Sequence, residues 1–465
     1  MSRSPLSYHI SVPGQLTAMT NIKPGESVEW PSGRTGWYVT LLLTFAYTFS
    51  FVDRQVLNLL VDPIQSDLGI SDTQISFLQG SAFVGAYVLM SIPLGRIVDR
   101  FNRVLVLIGG VLAWSISTVG CGLSGTYFQL MIARVGVGTG EASVTPASWS
   151  LLADYFPADR LARPMSVFLM GPYLGAGLAL ILGAEVIDWT RDVDELSLPF
   201  IGALTAWQFT FIAVGLPGFV LAAILATIKE PERIQESTGV SASHATWPEV
   251  LLQLQDNRRV YAALLLGAPF IVVILYGLQA WIPTYLVRVF EWDLAHAGRV
   301  YGVIALLAGS SGVLSGPVLG NWLKGRGYAD YPLRIGTIGA TSAMIGMLCI
   351  PWMQQAEFAL CFIALASFSV TLPMALFSFA LQTVTPGNMR GLIAGLYVVT
   401  VNVLGLALGP TLVALSTDYI FGDPRAVGYS LALVSGLMAP LAILLIYSGM
   451  KPYAEMYAQL DNAEN

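Results

Sequence analysis

Twelve apolar segments constrain the fold of this 465-residue chain more than any other feature. A helix needs about 20 mostly apolar residues to cross the hydrocarbon core of a bilayer, and a membrane β-strand needs only about 9 to 11. The segments run over 37–61, 74–97, 104–124, 127–153, 164–187, 207–228, 260–287, 297–323, 334–355, 358–384, 391–415 and 427–449. We therefore predict an all-α membrane protein with twelve transmembrane helices.

The composition agrees with that class, since 55% of the residues are hydrophobic and only 11% are charged. A soluble domain has roughly 25% charged residues. The three cysteines all lie in apolar segments, so no disulfide framework is expected. The histidines His9, His244 and His296 all lie outside the deep parts of these segments. Proton chemistry at membrane depth must therefore use carboxylates, and we expect no metal, cofactor or nucleic-acid partner.

A polar stretch divides the chain into two groups of six helices, and short motifs recur in both groups. Ser91-x-Pro93-x-Gly95 ends the second segment, and Ser315-x-Pro317-x-x-Gly320 ends the eighth. Parallel six-helix repeats are the plan of one large class of transporters. The predicted units are a mobile cytoplasmic arm at 1–36, bundles at 37–228 and 260–449, a cytoplasmic linker at 229–259 and a cytoplasmic tail at 450–465.

Basic residues predict the orientation in the membrane. With both ends in the cytoplasm, 17 of the 23 Lys and Arg residues fall on the inner side, 4 on the outer side, and Arg54 and Arg134 within segments. Cytoplasmic loops carry such an excess of Lys and Arg. We expect an inner (plasma) membrane protein whose two termini lie in the cytoplasm.

Two apolar segments of the first half each contain an acid and a base. Asp53 and Arg54 lie in the first segment, and Arg134 and Glu141 in the fourth. A charge at the bilayer centre costs about 2.5 to 3.5 kcal/mol on insertion scales, so such residues are usually functional. Asp53 and Arg134 lie at similar depth, and we expect them to pair. Glu141 lies about 10 Å deeper and has less obvious compensation, so we expect it to take up a proton more readily. The structural alternative is a permanently satisfied ion pair.

The loop after the second segment reads Gly95-Arg-Ile-Val-Asp99-Arg100-Phe-Asn-Arg103. Asp99 can accept hydrogen bonds from Arg side chains or from the N-terminus of a helix. We expect Gly95, Asp99, Arg100 and Arg103 to form a cytoplasmic gate. Simple positive-inside topology explains the arginines but not the spacing of Gly and Asp. The corresponding loop of the second half has no acid.

Apart from Arg299 and Arg334, which lie at segment ends, the segments of the second half contain no Asp, Glu, Lys or Arg, so candidate substrate contacts there are uncharged. They are Tyr276, Gln279, Phe377, Gln382 and Asn402. Ordinary helix packing is the alternative for the aromatic residues, whereas buried amides need partners. In the run Gly277 to Tyr285, Gly and Pro283 are residues that can break a helix beside a cavity. An interfacial aromatic belt is the alternative for Trp281 and Tyr285.

Several motifs of the first half together resemble the spinster branch of the major facilitator superfamily. They are Asp53-Arg54, Pro63-Ile64-Gln65 through Asp72, Asp99-Arg100-Phe-Asn-Arg103, Arg134 through Glu141, and Ser150 through Pro157. The resemblance implies a proton-linked or gradient-driven carrier whose coupling residues are Asp53, Arg54, Arg134 and Glu141. It also implies that the Asp99 loop holds the outward-facing state. Animal members move sphingosine phosphate or lysophospholipids.

We therefore predict a monomeric carrier that works by alternating access in the lipid bilayer. Asp53 and Glu141 would exchange protons, and Arg54 and Arg134 would gate them or meet an anionic group. An amphiphilic, lysolipid-like substrate suits a charged first half that faces an apolar second half. The alternatives are a carrier of a small organic anion or sugar acid, a channel and an intramembrane enzyme. The last would need a nucleophile and base or metal ligands at depth, and no such motif appears.

Overall fold

The computed structural model describes residues 31–157, 160–190, 196–198, 202–231, 233 and 246–464. Within these ranges the chain is helical except for connecting turns and one two-stranded hairpin. The predicted arm 1–36 lies outside the described residues as far as residue 30, as do His9 and His244. The first helix begins at Gly33, where the Ser32 hydroxyl accepts a hydrogen bond from the Thr35 amide.

The membrane-length helical segments are numbered here as spans. Those of the first half are span 1 (Gly33–Gln55, then a 3-10 turn Val56–Asn58), span 2 (Asp72–Ser76, a π-helical turn Phe77–Ser81, and Ala82–Arg100), span 3 (Arg103–Gly122), span 4 (Tyr127–Glu141 and Val144–Tyr155), span 5 (Ala162–Leu169 and Gly171–Thr190) and span 6 (Ala206–Gly215 and Pro217–Leu225). A short helix, Val61–Leu68, connects spans 1 and 2.

The second half contains span 7 (Arg258–Ala262, a π-helical turn Ala263–Gly267, and Ala268–Phe290), span 8 (Leu294–Ile304, a π-helical turn Ala305–Gly309, and Ser310–Gly325), span 9 (Tyr331–Cys349 and a 3-10 turn Ile350–Trp352), span 10 (Ala356–Thr371 and Met374–Val384), span 11 (Arg390–Thr400, a π-helical turn Val401–Ala407, Leu408–Leu415 and a π-helical turn Ser416–Phe421) and span 12 (Val427–Glu464, after a 3-10 turn Pro424–Ala426). Span 12 continues as helix through the predicted tail.

Each predicted segment coincides with one span. Eleven of the spans are long and apolar enough to cross a membrane by length and composition. Span 4 is the remaining one, and it carries Arg134 and Glu141 within its first helix. The predicted break at Pro283 is wrong, because the helix Ala268–Phe290 continues through this proline.

Two connections carry secondary structure that the sequence analysis did not predict. Between spans 5 and 6, strands β1 (Leu196–Leu198) and β2 (Gly202–Leu204) pair antiparallel, with Leu196 opposite Leu204. In the linker, a helix over Trp247–Asp256 starts with a capping box between Thr246 and Glu249. The first described residues of the linker pack against the first half, as shown below.

Small residues let the spans of the first half approach closely. Gly138 of span 4 lies directly against the backbone carbonyl of Phe83 in span 2. A side-chain carbon at Gly140 would lie only 2.7 Å from the carbonyl oxygen of Gly110 in span 3. Close contact of this kind agrees with the small-residue packing that the spacing of these glycines predicts. It fixes the height and rotation of span 4, which carries two of the four charged residues.

The two halves meet mainly at one end of the bundle. We call the face on which span 1 begins the terminal face and the other the opposite face. Near the opposite face, Gly171–Thr190 of span 5 packs against span 8, and the π-helical turn of span 2 packs against span 11. At the terminal face, the helices Val144–Tyr155 and Ala162–Leu169 pack against helices of the first half. The contacts between the halves therefore close the opposite face.

Candidate functional site

The centre of the candidate site is a buried ion pair between spans 1 and 4. The guanidinium of Arg54 donates to one oxygen of Glu141, over 2.5 Å from Nη2 and 3.2 Å from Nε. The side chains are 6% and 1% exposed. The other oxygen of Glu141, Oε1, is buried and has no hydrogen-bond partner among the described residues. Removing one member of such a pair leaves an uncompensated buried charge, which costs about 3 to 5 kcal/mol.

Three aromatic rings lie close to the guanidinium of Arg54. The centre of its guanidinium lies 4.2 Å from the ring centroids of both Phe51 and Phe83, and 5.7 Å from that of Tyr87. A cation over an aromatic face is attracted by the ring quadrupole, by up to about 2 kcal/mol when desolvated. The rings hold Arg54 in place and leave Glu141 as its charged partner.

Arg134 is bound by backbone carbonyls instead of a carboxylate. Its side chain is fully buried and donates to the carbonyls of Leu78, at 3.1 Å, and of Asp53 and Arg54, both at 3.4 Å. The last carbonyls of a helix and those of a π-helical turn lack regular partners. Span 1 ends its α-helix at Gln55, and Leu78 lies within the π-helical turn of span 2. Arg134 therefore donates to carbonyls at points where two helices depart from regular α-helical geometry.

This geometry corrects the predicted pairing. The expected ion pair between the Asp53 carboxylate and Arg134 is not formed, and Glu141 is the acid with a direct counter-charge. Asp53 is 2% exposed, and its Oδ1 has no hydrogen-bond partner among the described residues. The indole N–H of Trp114 lies near this carboxylate but does not meet hydrogen-bond geometry with it. Among the described residues, Asp53 rather than Glu141 is the buried carboxyl without a directly paired counter-charge.

Two predicted residues of span 7 lie beside the ion pair or the residue next to it in span 1. The side chain of Tyr276 lies beside Arg54 and Glu141. One turn further along, the Gln279 side-chain oxygen accepts a hydrogen bond from Gln55, at 2.9 Å. Residues 54 and 55 therefore contact both halves, so a change at the ion pair can be transmitted to span 7.

The structure places the other predicted residues of the second half in different surroundings. The ring of Phe377 is buried against Gly336 within the second half. Gln382 is exposed, and the amide of Asn402 donates to the carbonyl of Val398 in its own helix, at 2.8 Å. Trp281 and Tyr285 are buried and donate to the carbonyls of Pro410 and Ile350, so an interfacial belt is wrong for both.

A polar cluster joins the halves at the opposite face. Arg288, at the end of span 7, donates to Asp62 and to both oxygens of Asp72, each at 2.8 Å, and to Gln65 at 2.7 Å. Asp418 of span 11 accepts from the amide and hydroxyl of Thr73, at 2.7 and 2.6 Å. We call this cluster the outer lock; it consists of Asp62, Gln65, Asp72 and Thr73 of the first half and Arg288 and Asp418 of the second.

The surroundings of Asp62 in the outer lock alter the pKa of its carboxyl. It lies on the connecting helix after span 1, and its side chain is 30% exposed. Burial raises the pKa of its carboxyl, and Arg288 opposes this shift only in part. Its neutral form is therefore favoured in the closed arrangement more than it would be in water.

The predicted gate residues lie at the terminal face within the first half. Arg103 is buried, forms an ion pair with Asp154 and donates to Glu230 at 2.7 Å. The Asp99 carbonyl accepts a hydrogen bond from Arg233 of the linker, and its side chain is exposed, as is Arg100. Gly95 is half-buried. Arg103 thus anchors the start of the linker to spans 3 and 4.

Sequence reasoning missed the aromatic enclosure of Arg54 and the outer lock. Phe51 lies three residues before Arg54 and so on nearly the same helix face, which is a signal that could have suggested the first contact. For the lock, the signal was a basic residue at the end of an apolar span. In the sequence, Arg288 indicates only the orientation of the chain in the membrane. Among the described residues, no group of His, Cys, Asp and Glu could hold a metal ion.

Comparison with known proteins gives long matches. A family model described as the Major Facilitator Superfamily matches residues 43–410. A probable galactarate/D-glucarate transporter of Bacillus subtilis (strain 168) is 24% identical over 78% of this chain and 81% of the relative. Protein spinster homolog 1 of Xenopus tropicalis is 25% identical over 82% of this chain and 73% of the relative.

A solved structure shows the same fold. The crystal structure of a bacterial homologue of the human lysosomal transporter spinster aligns with a TM-score of 0.73 at 23% identity, covering 93% of this chain and 99% of that one. The family model and this alignment confirm the predicted all-helical fold, and spinster homologues are among the relatives, as the motifs predicted. The family consists of transporters, which supports the expectation that the chain is not an enzyme.

Proposed function

Because the chain belongs to the major facilitator superfamily, we propose that it is a proton-coupled secondary carrier that moves an anionic substrate by alternating access. The observation that carries the proposal is the pairing of Arg54 with Glu141 at membrane depth. Arg54, unlike Arg134, has a carboxylate as its direct hydrogen-bond partner, and loss of that partner leaves a costly buried charge. A proton on Glu141 removes that counter-charge, and a substrate anion can replace it.

Coupling follows from this exchange of partners. When Glu141 is ionised, it holds Arg54 and competes with an incoming anion. When Glu141 is protonated, Arg54 is free to form a charge-assisted hydrogen bond with a carboxylate or phosphate of the substrate. Proton and anion therefore bind together, and the net charge of the site is the same before and after loading.

Asp53 and Arg134 have supporting roles in this scheme. Ionised Asp53 would be a buried charge without a direct partner, which is costly, so we assign it a proton in the arrangement that is closed at the opposite face. Arg134 stays bound to the carbonyls of spans 1 and 2 and provides a fixed positive charge. Deprotonation of Asp53 then requires a rearrangement that gives it a partner or water.

We further propose that the terminal face lies in the cytoplasm of a plasma-membrane protein, and that the carrier works as a monomer. The excess of basic residues on that side supports the orientation. The described arrangement is then inward-facing. Fusion of a reporter that is active only outside the cytoplasm to the C-terminus should give no activity. A signal there would contradict the orientation.

For the substrate, we propose an amphiphile with an anionic head group, as the spinster-like motifs of the first half indicate. Arg54 would contact the head group, and the apolar central parts of the spans of the second half would contact the chain. Each buried CH₂ stabilises binding by roughly 0.8 kcal/mol. Binding of a lysolipid series, measured by thermal shift of the purified protein, should therefore tighten with acyl length.

A second candidate substrate is a small sugar acid. The relative from Bacillus subtilis, named a probable galactarate/D-glucarate transporter, favours it. The buried, polar setting of Arg54, Tyr276 and Gln279 also suits a compact anion. Tight binding of hexonates or hexarates, together with a flat response to lysolipid chain length, would select this candidate over the amphiphile.

The coupling proposal is tested in proteoliposomes with a pH dye inside. Glu141→Gln and Asp53→Asn should each abolish substrate-driven proton movement. Glu185→Gln is a matched control, because Glu185 also belongs to the first half but is 56% exposed, and it should behave as the unchanged protein. Proton movement that survives in the Asp53→Asn/Glu141→Gln double variant would refute the coupling. Substrate exchange between equal pH values should persist in the single variants, which shows that they are folded.

A further inference from the structure

A small cavity lies between spans 5, 7, 8 and 10. Its volume is about 10 Å³, which is room for one water-sized group. Tyr173 of span 5, Gln279 of span 7, Tyr301 of span 8 and Ser367 of span 10 line it, among apolar residues. Both halves therefore contribute to its wall.

Two hydroxyls of this cavity lack hydrogen-bond partners. Tyr301 is fully buried and Ser367 is 4% exposed. The hydroxyls of these two residues are neighbours, but neither meets hydrogen-bond geometry with the other or with another described residue. Buried polar groups are nearly always hydrogen-bonded, and the exceptions need an explanation such as a ligand. Thr371 on the same wall differs, because it donates to carbonyls of its own helix.

The cavity is close to the charged site along span 7. Tyr276 lies beside the Arg54–Glu141 pair, and Gln279 lines the cavity. Three residues on a helix are about 4.5 Å apart along its axis and lie on nearly the same face. A ligand whose anionic group contacts Arg54 can therefore place a neighbouring hydroxyl in the cavity.

We propose that Tyr301 and Ser367 form a hydroxyl-binding subsite of the carrier, which selects substrates that carry a hydroxyl near their anionic group. This inference rests on the proposed binding of an anion at Arg54. The subsite would donate to and accept from one substrate hydroxyl and would close around it, since both halves line it. The shared chemistry occurs in a sugar acid and in the glycerol head group of a lysolipid.

Matched pairs of ligands test the subsite in the purified full-length protein. D-gluconate is compared with hexanoate, and lysophosphatidylglycerol with 2-deoxy-lysophosphatidylmethanol of the same acyl chain, which lacks both the head-group hydroxyls and the free hydroxyl of the glycerol backbone. A site that hydrogen-bonds a hydroxyl discriminates strongly against an analogue without it, because its own polar groups are then left unpaired. We expect the hydroxylated member of one pair to bind at least about tenfold more tightly. The pair that shows the preference identifies the source of the hydroxyl.

Variants of the two hydroxyl residues test whether the preference for hydroxylated ligands arises in the cavity. Tyr301→Phe and Ser367→Ala should each reduce the preference to about threefold or less, without weakening binding of the hydroxyl-free analogue. Tyr453→Phe is the matched control, because Tyr453 is also fully buried with an unpartnered hydroxyl but lies at the terminal end of span 12. It should keep the full preference.

Two results would overturn the subsite. One is the absence of any preference in both ligand pairs, and the other is a preference that survives in the Tyr301→Phe/Ser367→Ala double variant. The proposed function is read out separately, as proton uptake driven by either member of a pair. Loss of that uptake in Glu141→Gln with no hydroxyl preference would refute the subsite alone.

Discussion

Removing Arg288 should open the opposite face. Its side chain is 10% exposed and donates to Asp62, Asp72 and Gln65 across the two halves. Loss of one partner from a buried ion pair costs about 3 to 5 kcal/mol. In Arg288→Ala, Asp72 would remain buried without a counter-charge in the closed form, although Gln65 still donates to it at 2.7 Å, and it could be hydrated in the open form. The whole of this cost therefore falls on the closed form.

This energy is large on the scale of conformational equilibria. At 1.4 kcal/mol for each factor of ten, the ratio of open to closed molecules should rise roughly a hundred- to a few-thousand-fold. Minor conformers of such proteins are commonly populated at about 0.1 to 10%. A hundredfold shift would raise a 1% open population to about half. The effect should therefore be visible as a second population rather than as a small displacement.

Pulsed electron resonance between spin labels would measure this shift. Ser66 of the first half and Arg425 of the second are both exposed near the opposite face, and they suit labelling after replacement of Cys349 and Cys361. A longer distance should appear in Arg288→Ala. Arg299→Ala is the control, because Arg299 also joins the halves, through Glu185 and Asp188, but its side chain is 39% exposed against 10% for Arg288. Unchanged distances in Arg288→Ala, or an equal change in both variants, would refute the role of the outer lock.

Three further predictions concern pH, the linker anchor and helix packing. Burial raises the pKa of Asp62 in the closed form, so closure binds protons and the closed population should grow as pH falls through that pKa, with the gain complete below the ordinary value of 3.8. Spin-label distances should show this growth, and Asp62→Asn should abolish it. Arg103→Ala should destabilise the protein by about 3 to 5 kcal/mol in thermal unfolding, whereas exposed Arg100→Ala should change stability by less than about 0.5 kcal/mol. Gly138→Ala should destabilise by about 1 to 3 kcal/mol, because a carbonyl fills the space of the added methyl, whereas Gly85→Ala meets open space and should not. Equal effects within either pair would contradict the packing described here.

The sequence was sufficient for the features that depend on length and hydropathy. The twelve spans and the four charged residues within them could be read from the pattern of apolar residues. The family followed from the motifs around Asp53, Asp99 and Arg134. These properties are local, so they survive without knowledge of how the helices are rotated against one another.

The partners of the charged residues could not be predicted in the same way. The rise per residue gives the depth of Asp53 and Arg134 but not the direction of their side chains. In the structure, Arg54 rather than Asp53 faces span 4 at Glu141, and carbonyls at points where two helices depart from regular α-helical geometry accept from Arg134. Such carbonyls have no signature in an apolar sequence.

The π-helical turn Phe77–Ser81 has a mechanical consequence for span 2. A π-helical turn accommodates one residue more than an α-helical turn, and each residue of an α-helix turns the chain by about 100°. If this turn relaxed to α-helix, the remainder of span 2 would rotate by about that angle. Phe83 lies within this remainder, and its ring faces Arg54.

Arg134 resists such a rotation, because its hydrogen bond to Leu78 occupies a carbonyl that an α-helix would reclaim. The guanidinium of Arg134 thus stabilises the π-helical turn and, with it, the rotation of the rest of span 2. A carrier built in this way can change which side chains surround its ion pair by twisting a single span, with no movement of one bundle against the other.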